Sequence, residues 1–252
     1  MELSSLPVFG LAAAFAALFA AGLAKGVSGM GIPLIATPVL ALLFDLQTAV
    51  PAVVLATLAS DIIFLSKTEK RWPLVRQAGI LLAFGAAGTA LGSYLLARLN
   101  PMLLSGALGA VVLLYVAASL FSLVPAVRRR AWLDAAVGLI GGTFQGAAGA
   151  SGPIVGMYLL QRKLSRNDYL FLLNAFFLAV DGIQIAALYR LGLYQGAAAW
   201  LAPAALVPVL LGLAVSFKVH GKLPDARFRG AVLLVMTFSA VTLLYKSVAH
   251  ML

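Results

Sequence analysis

KGVSGMGIP, Lys25 to Pro33, interrupts what would otherwise be one long apolar helix, and QGAAGASGP, Gln145 to Pro153, does the same 120 residues later. Each stretch packs several glycines and then a proline into nine residues. Glycine weakens a helix interior. Proline is tolerated in the first turn of a new helix, where its missing N–H would have no partner. Each stretch therefore reads as helix, glycine turn, short helix.

The flanking sequence says what medium these helices occupy. Of 252 residues, 63% are hydrophobic and 10% charged, with a mean hydropathy of +1.04. A soluble domain carries about 25% charged residues, so this composition suits lipid. Apolar segments fall at about 7–24, 32–44, 47–66, 74–97, 101–124, 132–148, 153–161, 167–190, 197–217 and 230–249. Several have about 20 residues, enough to cross roughly 30 Å of hydrocarbon. The two short segments, 32–44 and 153–161, are those that follow the glycine turns. The start, MELSSLPVFG, has no basic run ahead of its apolar stretch, so no removable signal peptide is expected.

The offset of 120 recurs. It carries Gly22 to Gly142, Gly26 to Gly146, Gly29 to Gly149, Pro33 to Pro153 and Lys25 to Gln145. It also carries Asp61 to Asp181, the acids deep inside apolar segments. The chain reads as a single transmembrane domain of two repeats, about 7–124 and 132–249, joined by Arg128, Arg129 and Arg130. Fourteen of the eighteen basic residues lie in the links after the third, fifth, seventh and ninth segments. If those links are cytoplasmic, each half holds an in-and-out pair plus three crossings. An odd total inserts the second half upside down. The expected fold class is all-α: a polytopic membrane protein of two inverted repeats, each a glycine-broken helix pair plus three transmembrane helices. Inverted repeats with broken helices belong to secondary transporters, whose sites lie where the breaks meet.

A non-helical break inside lipid must lie against protein or a water-filled cavity. The short helices aim N-termini, with their partial positive charge and free N–H groups, at the breaks, and such ends seat anions. The candidate substrate site is Lys25, Gly26, Ser28, Gly29, Gly31 and Pro33 with Gln145, Gly146, Gly149, Ser151, Gly152 and Pro153; Thr143 lies close by. N–H and O–H donors with one nearby cation suit a small oxyanion. Lys25 could instead snorkel to the outer surface. Asp61 and Asp181 are the candidates for proton coupling, because an acid in a membrane segment marks a pathway, a proton site or an ion pair. The plainer reading puts each near a helix end, Asp61 beside Lys67 and Asp181 nine residues from Arg190. Asn174, Gln184 and Tyr158 read as interhelical hydrogen-bond formers. Gly88/Gly92 and similar pairs read as close-packing sites.

Other chemistries fare worse. No cysteine exists, which excludes disulfides and thiolate sites. GVSG (26–29) and GASG (149–152) match the short serine motif of intramembrane proteases. The histidines, His220 and His250, sit in a polar link and at the C-terminus, out of reach of either serine as a base. No basic face with interleaved aromatics exists for nucleic acid. No metal or other cofactor is called for. The partners implied are a small anion and the lipid bilayer, with a homodimer admitted.

GLAKGVSGMGIPLIATPVL (22–40) and GLIGGTFQGAAGASGPIVGMYLL (138–160) resemble the two half-motifs of the TauE/SafE family of membrane transporters. The likeness runs over essentially the whole chain. It implies an exporter of a small sulfur-containing anion, such as sulfite, sulfoacetate or another organosulfonate, in the bacterial inner membrane. Carried over, the family's turns fall on Gly26, Gly29, Gly31 and Pro33, and on Gly146, Gly149, Ser151, Gly152 and Pro153. Alternating access is the expected mechanism. An anion channel using the same site, or an intramembrane serine protease, are the competing readings.

Overall fold

The structure is a computed structural model that describes residues 8–68, 71–121, 130–162 and 164–219, and beyond them 234, 237–238, 240–245 and 247–248. Every element among the described residues is helical. The order is α1 (Val8–Ser28), α2 (Ile32–Leu43), α3 (Leu46–Ser66), α4 (Trp72–Gln77), α5 (Gly79–Arg98), α6 (Pro101–Phe121) and α7 (Ala131–Ala148). A π-helical turn (Gly152–Gly156) then runs straight into α8 (Met157–Gln161), followed by α9 (Arg166–Arg190) and α10 (Ala197–Val219). His220, His250 and the linker arginines 128 and 129 lie outside the described residues.

α3, α5, α9 and α10 are long and apolar enough to cross a membrane. Their polarity is inside out. Large apolar side chains such as Phe15, Ile62, Phe84, Leu91, Leu114 and Val207 are exposed, while Lys25, Asp61, Asp181, Gln145 and Gln184 are buried. This is a polytopic membrane protein, with hydrocarbon-compatible surface and a polar interior.

Adding 120 to α1, α2, α3 and α5 gives the ranges of α7, the π turn with α8, α9 and α10 to within a few residues. The halves are interleaved in their packing. α1 packs on α10, and α5 on α7, so the first helix of each half lies against the fourth helix of the other. Glycine sets these two seams. A Cβ on Gly22 would lie 2.1 Å from the Val209 carbonyl oxygen; one on Gly142 would lie 2.1 Å from that of Gly85. Backbone meets backbone, the approach that small residues permit between membrane helices. Contacts advance together along both chains, Gly138 with Leu81 and Gly146 with Thr89, so α5 and α7 run parallel. α1 and α10 do the same, through Gly22 and Val209, then Gly26 and Ser216.

The related helices α3 and α9 run antiparallel. Arg71, just past the end of α3, pairs at 3.0 Å with Asp168 in the first turn of α9. Further along, Lys25 pairs with Asp61 of α3 and lies against the Phe177 ring of α9, bringing those two points together. At the end marked by Arg71, Lys67 lies over the Phe217 ring at 4.4 Å, near the end of α10. The end of α3, the start of α9 and the end of α10 thus lie at one end of the bundle. Phe44 against Trp200 and Gln47 bonded to the Leu96 carbonyl mark the other.

Among the described residues the segment boundaries match the sequence reading with two differences, while the end of the segment at 101–124 and the bounds of that at 230–249 lie outside them. α1 continues to Ser28, so Lys25 occupies its last turns rather than the break. The fourth apolar segment is divided at Ala78 into α4 and α5. Because backbone atoms leave no room at the seams, Gly22→Val is expected to destabilise the protein by about 1–3 kcal/mol or more. Gly182→Ala, in α9 with open space around its Cα, should be neutral or slightly stabilising. Thermal unfolding in detergent compares the two directly.

Candidate functional site

The breaks are built by backbone that only glycine adopts easily. Gly149 stands in the left-handed region at φ 68° and closes α7 by donating its N–H to the Gln145 carbonyl at 2.7 Å. Gly31, at φ 138°, precedes α2 and accepts the first intrahelical bond, from Ile35 N–H at 3.1 Å. Pro33 and Pro153 each occupy the second helical position. The N-cap residue of neither short helix caps it with its own side chain, while at the second break the Ser151 N–H donates to Gln145 Oε1 at 3.3 Å.

The two breaks meet. A Cβ on Gly149 would lie 3.3 Å from both Pro33 Cβ and Thr37 Oγ1. Gly152 faces Leu34 and Met30, and the Met30 methyl fills the space beside Gly156. The π-helical turn falls where Met30 of the first break wedges against the second.

Polar partners repeat at the same offset. In the first half Lys25 forms a buried ion pair with Asp61. In the second, Gln145 Nε2 donates to Asp181 Oδ1 at 2.7 Å. Both pairs are 36 residues apart, so the duplication has preserved the contact and changed its charge. Lys25 is 1% exposed and also lies 4.7 Å from the centre of the Phe177 ring, a cation–π contact. The snorkelling reading of Lys25 is therefore corrected: a fully buried carboxylate holds its ammonium inside. The placing of Asp61 beside Lys67 is corrected too, since Lys67 lies over Phe217.

Around Gln145 the hydrogen bonds close on themselves. Ser151 Oγ donates to Gln145 Oε1 at 2.6 Å. Gln184 Nε2 donates to the Gln145 carbonyl at 2.8 Å, satisfying the end of α7. Gln184, read from sequence as an interhelical bond former, has that role. So does Tyr158, whose hydroxyl donates to buried Asp134 at 2.6 Å, with Arg162 3.7 Å from the same carboxylate. Thr143 bonds back to its own helix and is exposed. Gly26 and Gly146 lie against Ser216 and Ser93. The side chain of Ser28 lies outside the described residues.

Thr37 Oγ1 by Gly149 and Ser216 Oγ by Gly26 are buried with no partner among the described residues. The same holds for Ser93 Oγ and Asn174 Oδ1, on residues that lie against Gly146 and Gly29. Most buried polar side-chain atoms are paired, which makes these four residues candidates for contact with a polar ligand. Thr37, Ser93 and Ser216 were missed in the sequence because each lies in an apolar helical run with no motif. Only their position beside the glycines singles them out.

A polytopic helical membrane protein with its polar groups gathered at two broken helices is built to handle a polar solute inside a bilayer. The chain belongs to the TauE/SafE family: the family described as "Sulfite exporter TauE/SafE" matches residues 14–243, nearly the whole length. It is thus a member of a family of membrane transporters. No curated protein and no solved structure matches the chain.

Removing one member of a buried ion pair leaves the other uncompensated, at about 3–5 kcal/mol. Lys25→Met should therefore destabilise strongly, and Lys25→Met with Asp61→Leu should recover most of the loss. Thermal unfolding of the two variants decides, and equal damage in both would refute the pairing.

Proposed function

We propose that this protein is a secondary transporter that exports a small sulfur-containing anion across the bacterial inner membrane by alternating access. Sulfite, sulfoacetate and other organosulfonates are the substrate class. Membership of the TauE/SafE family supports the class of solute. The meeting of the two breaks carries the reading: Gly149 against Pro33 and Thr37 brings two capless helix starts, each with roughly half a positive charge, to one buried place. The Thr37 hydroxyl, with no partner among the described residues, lies beside it, and Lys25 supplies the cation. An oxyanion entering there accepts from N–H, O–H and ammonium donors together.

Opposite insertion of the two halves is part of the same reading. Its support is the antiparallel course of α3 and α9, which stand 120 residues apart. Lys67 and Arg71 at the end where α3 stops, α9 starts and α10 stops support a cytoplasmic assignment for that end. The halves then exchange the faces they open to each side, as inverted repeats do in transporters.

The test is ligand-induced thermal stabilisation of the purified protein by sulfite, sulfate, thiosulfate, sulfoacetate and taurine, followed by counterflow in vesicles. One or more of the sulfur oxyanions should stabilise the wild type. If none does and neutral solutes do, the anion reading fails. Thr37→Val provides the site test, since one hydrogen bond to a charged group is worth about 1.5–3 kcal/mol. The variant should bind the anion about tenfold or more weakly, yet unfold no earlier than wild type, because the hydroxyl it removes has no partner in the protein.

A further inference from the structure

Each half brings one carboxyl to the same point. Asp61 on α3 and Asp181 on α9 are fully buried where the two helices pack, and Lys25, paired with Asp61, also lies 4.7 Å from the Phe177 ring, one helical turn before Asp181. Each uses its Oδ1 to accept from its own half: Lys25 Nζ for Asp61, Gln145 Nε2 for Asp181. Each leaves its Oδ2 with no donor from any described side chain or backbone group. Two carboxylates in contact inside a low-dielectric interior repel, and one proton between them turns the repulsion into a hydrogen bond.

The geometry points to a proton-binding site that Asp61 and Asp181 build jointly, with one proton held between their Oδ2 atoms. The surroundings fit that count. Lys25 on α1 is the cation paired with Asp61. α7 contributes the neutral Gln145, and the link before α10 brings the Tyr194 hydroxyl towards Asp181. α2, α5 and α10 bring the uncharged Thr37, Ser93 and Ser216 to the neighbouring breaks. With one shared proton, Lys25, Asp61 and Asp181 sum to zero charge. With none, the cluster would hold a net negative charge away from water, which a membrane interior disfavours.

The proton's role in transport rests on the anion reading. An anion that takes Asp61's place at Lys25 releases a second carboxylate oxygen into the same dry site. Neutrality is restored when a second proton enters from whichever side the site is open to. An O–H bond forms, none other breaks, and no electron is transferred. Anion and proton then bind together and cross together. The pair titrates as a unit rather than as two separate acids.

Infrared difference spectroscopy of the purified protein in lipid, with no anion present, tests the site. At neutral pH the wild type should show a protonated-carboxyl band that is lost in Asp181→Asn and in Asp61→Asn, and returns in Asp181→Glu. Asp181→Asn keeps the Lys25–Asp61 pair and decides alone if Asp61→Asn fails to fold. A wild type without the band overturns the proposal, as does a band that survives Asp181→Asn. Because no anion is used, this outcome is independent of the sulfite stabilisation and counterflow that test the function.

Discussion

A lysine ammonium inside a membrane protein, only 1% exposed, constrains everything around it. Lys25 is held by Asp61 and by the Phe177 ring, which belong to α3 and α9. The end of α1 is therefore fixed against the two helices that cross at the centre of the bundle. The glycine turn follows within one turn of helix. Lys25 thus fixes where the first break lies, and through Met30 and Pro33 it also places the second break, which packs against them. A buried ion pair is no bargain in stability terms, since apolar residues of similar size often do as well.

The second half keeps the architecture of this contact and drops its charge. Gln145 stands where Lys25 would fall, and Asp181 where Asp61 would fall, with the same separation in sequence. A second lysine would place two ammoniums around one small pocket. Glutamine instead supplies a neutral donor to Asp181 and an acceptor to Ser151. The site therefore has one cation and two acids, contributed by two halves that are alike in backbone and unlike in charge.

Much of this was legible in the sequence. Gly31, Pro33, Gly149 and Pro153 announced both breaks, because glycine and proline act through the local backbone and need no tertiary context. The offset of 120 carried the helices as well as the motifs. The partner of Lys25 was not legible: an ammonium can reach anything within its flexible stem, and only the packing of α1 on α3 selects Asp61 over solvent. Thr37 was hidden for a related reason. Its hydroxyl looks ordinary within IPLIATPVLALL until the opposing Gly149 leaves it facing the other break. The π-helical turn arises from a contact across halves, Met30 against Gly156, and no local signal encodes that.

The seams show how such a molecule can change shape without unpacking. α1 is locked to α10, and α5 to α7, by backbone contacts too close for any side chain to intervene. Each broken hairpin is thereby joined to a helix of the opposite half, so the halves cannot simply hinge apart as separate domains. The hairpins differ at their open ends. The second is tied by Asp134, Tyr158 and Arg162, which join the start of α7 to the end of α8. At the equivalent positions the first has Ala14, Pro38 and Leu42, which can form no such ion pair. The second hairpin is thus tied by a buried carboxylate shared between a tyrosine and an arginine, and the duplication has not carried that ionic tie to the corresponding residues of the first.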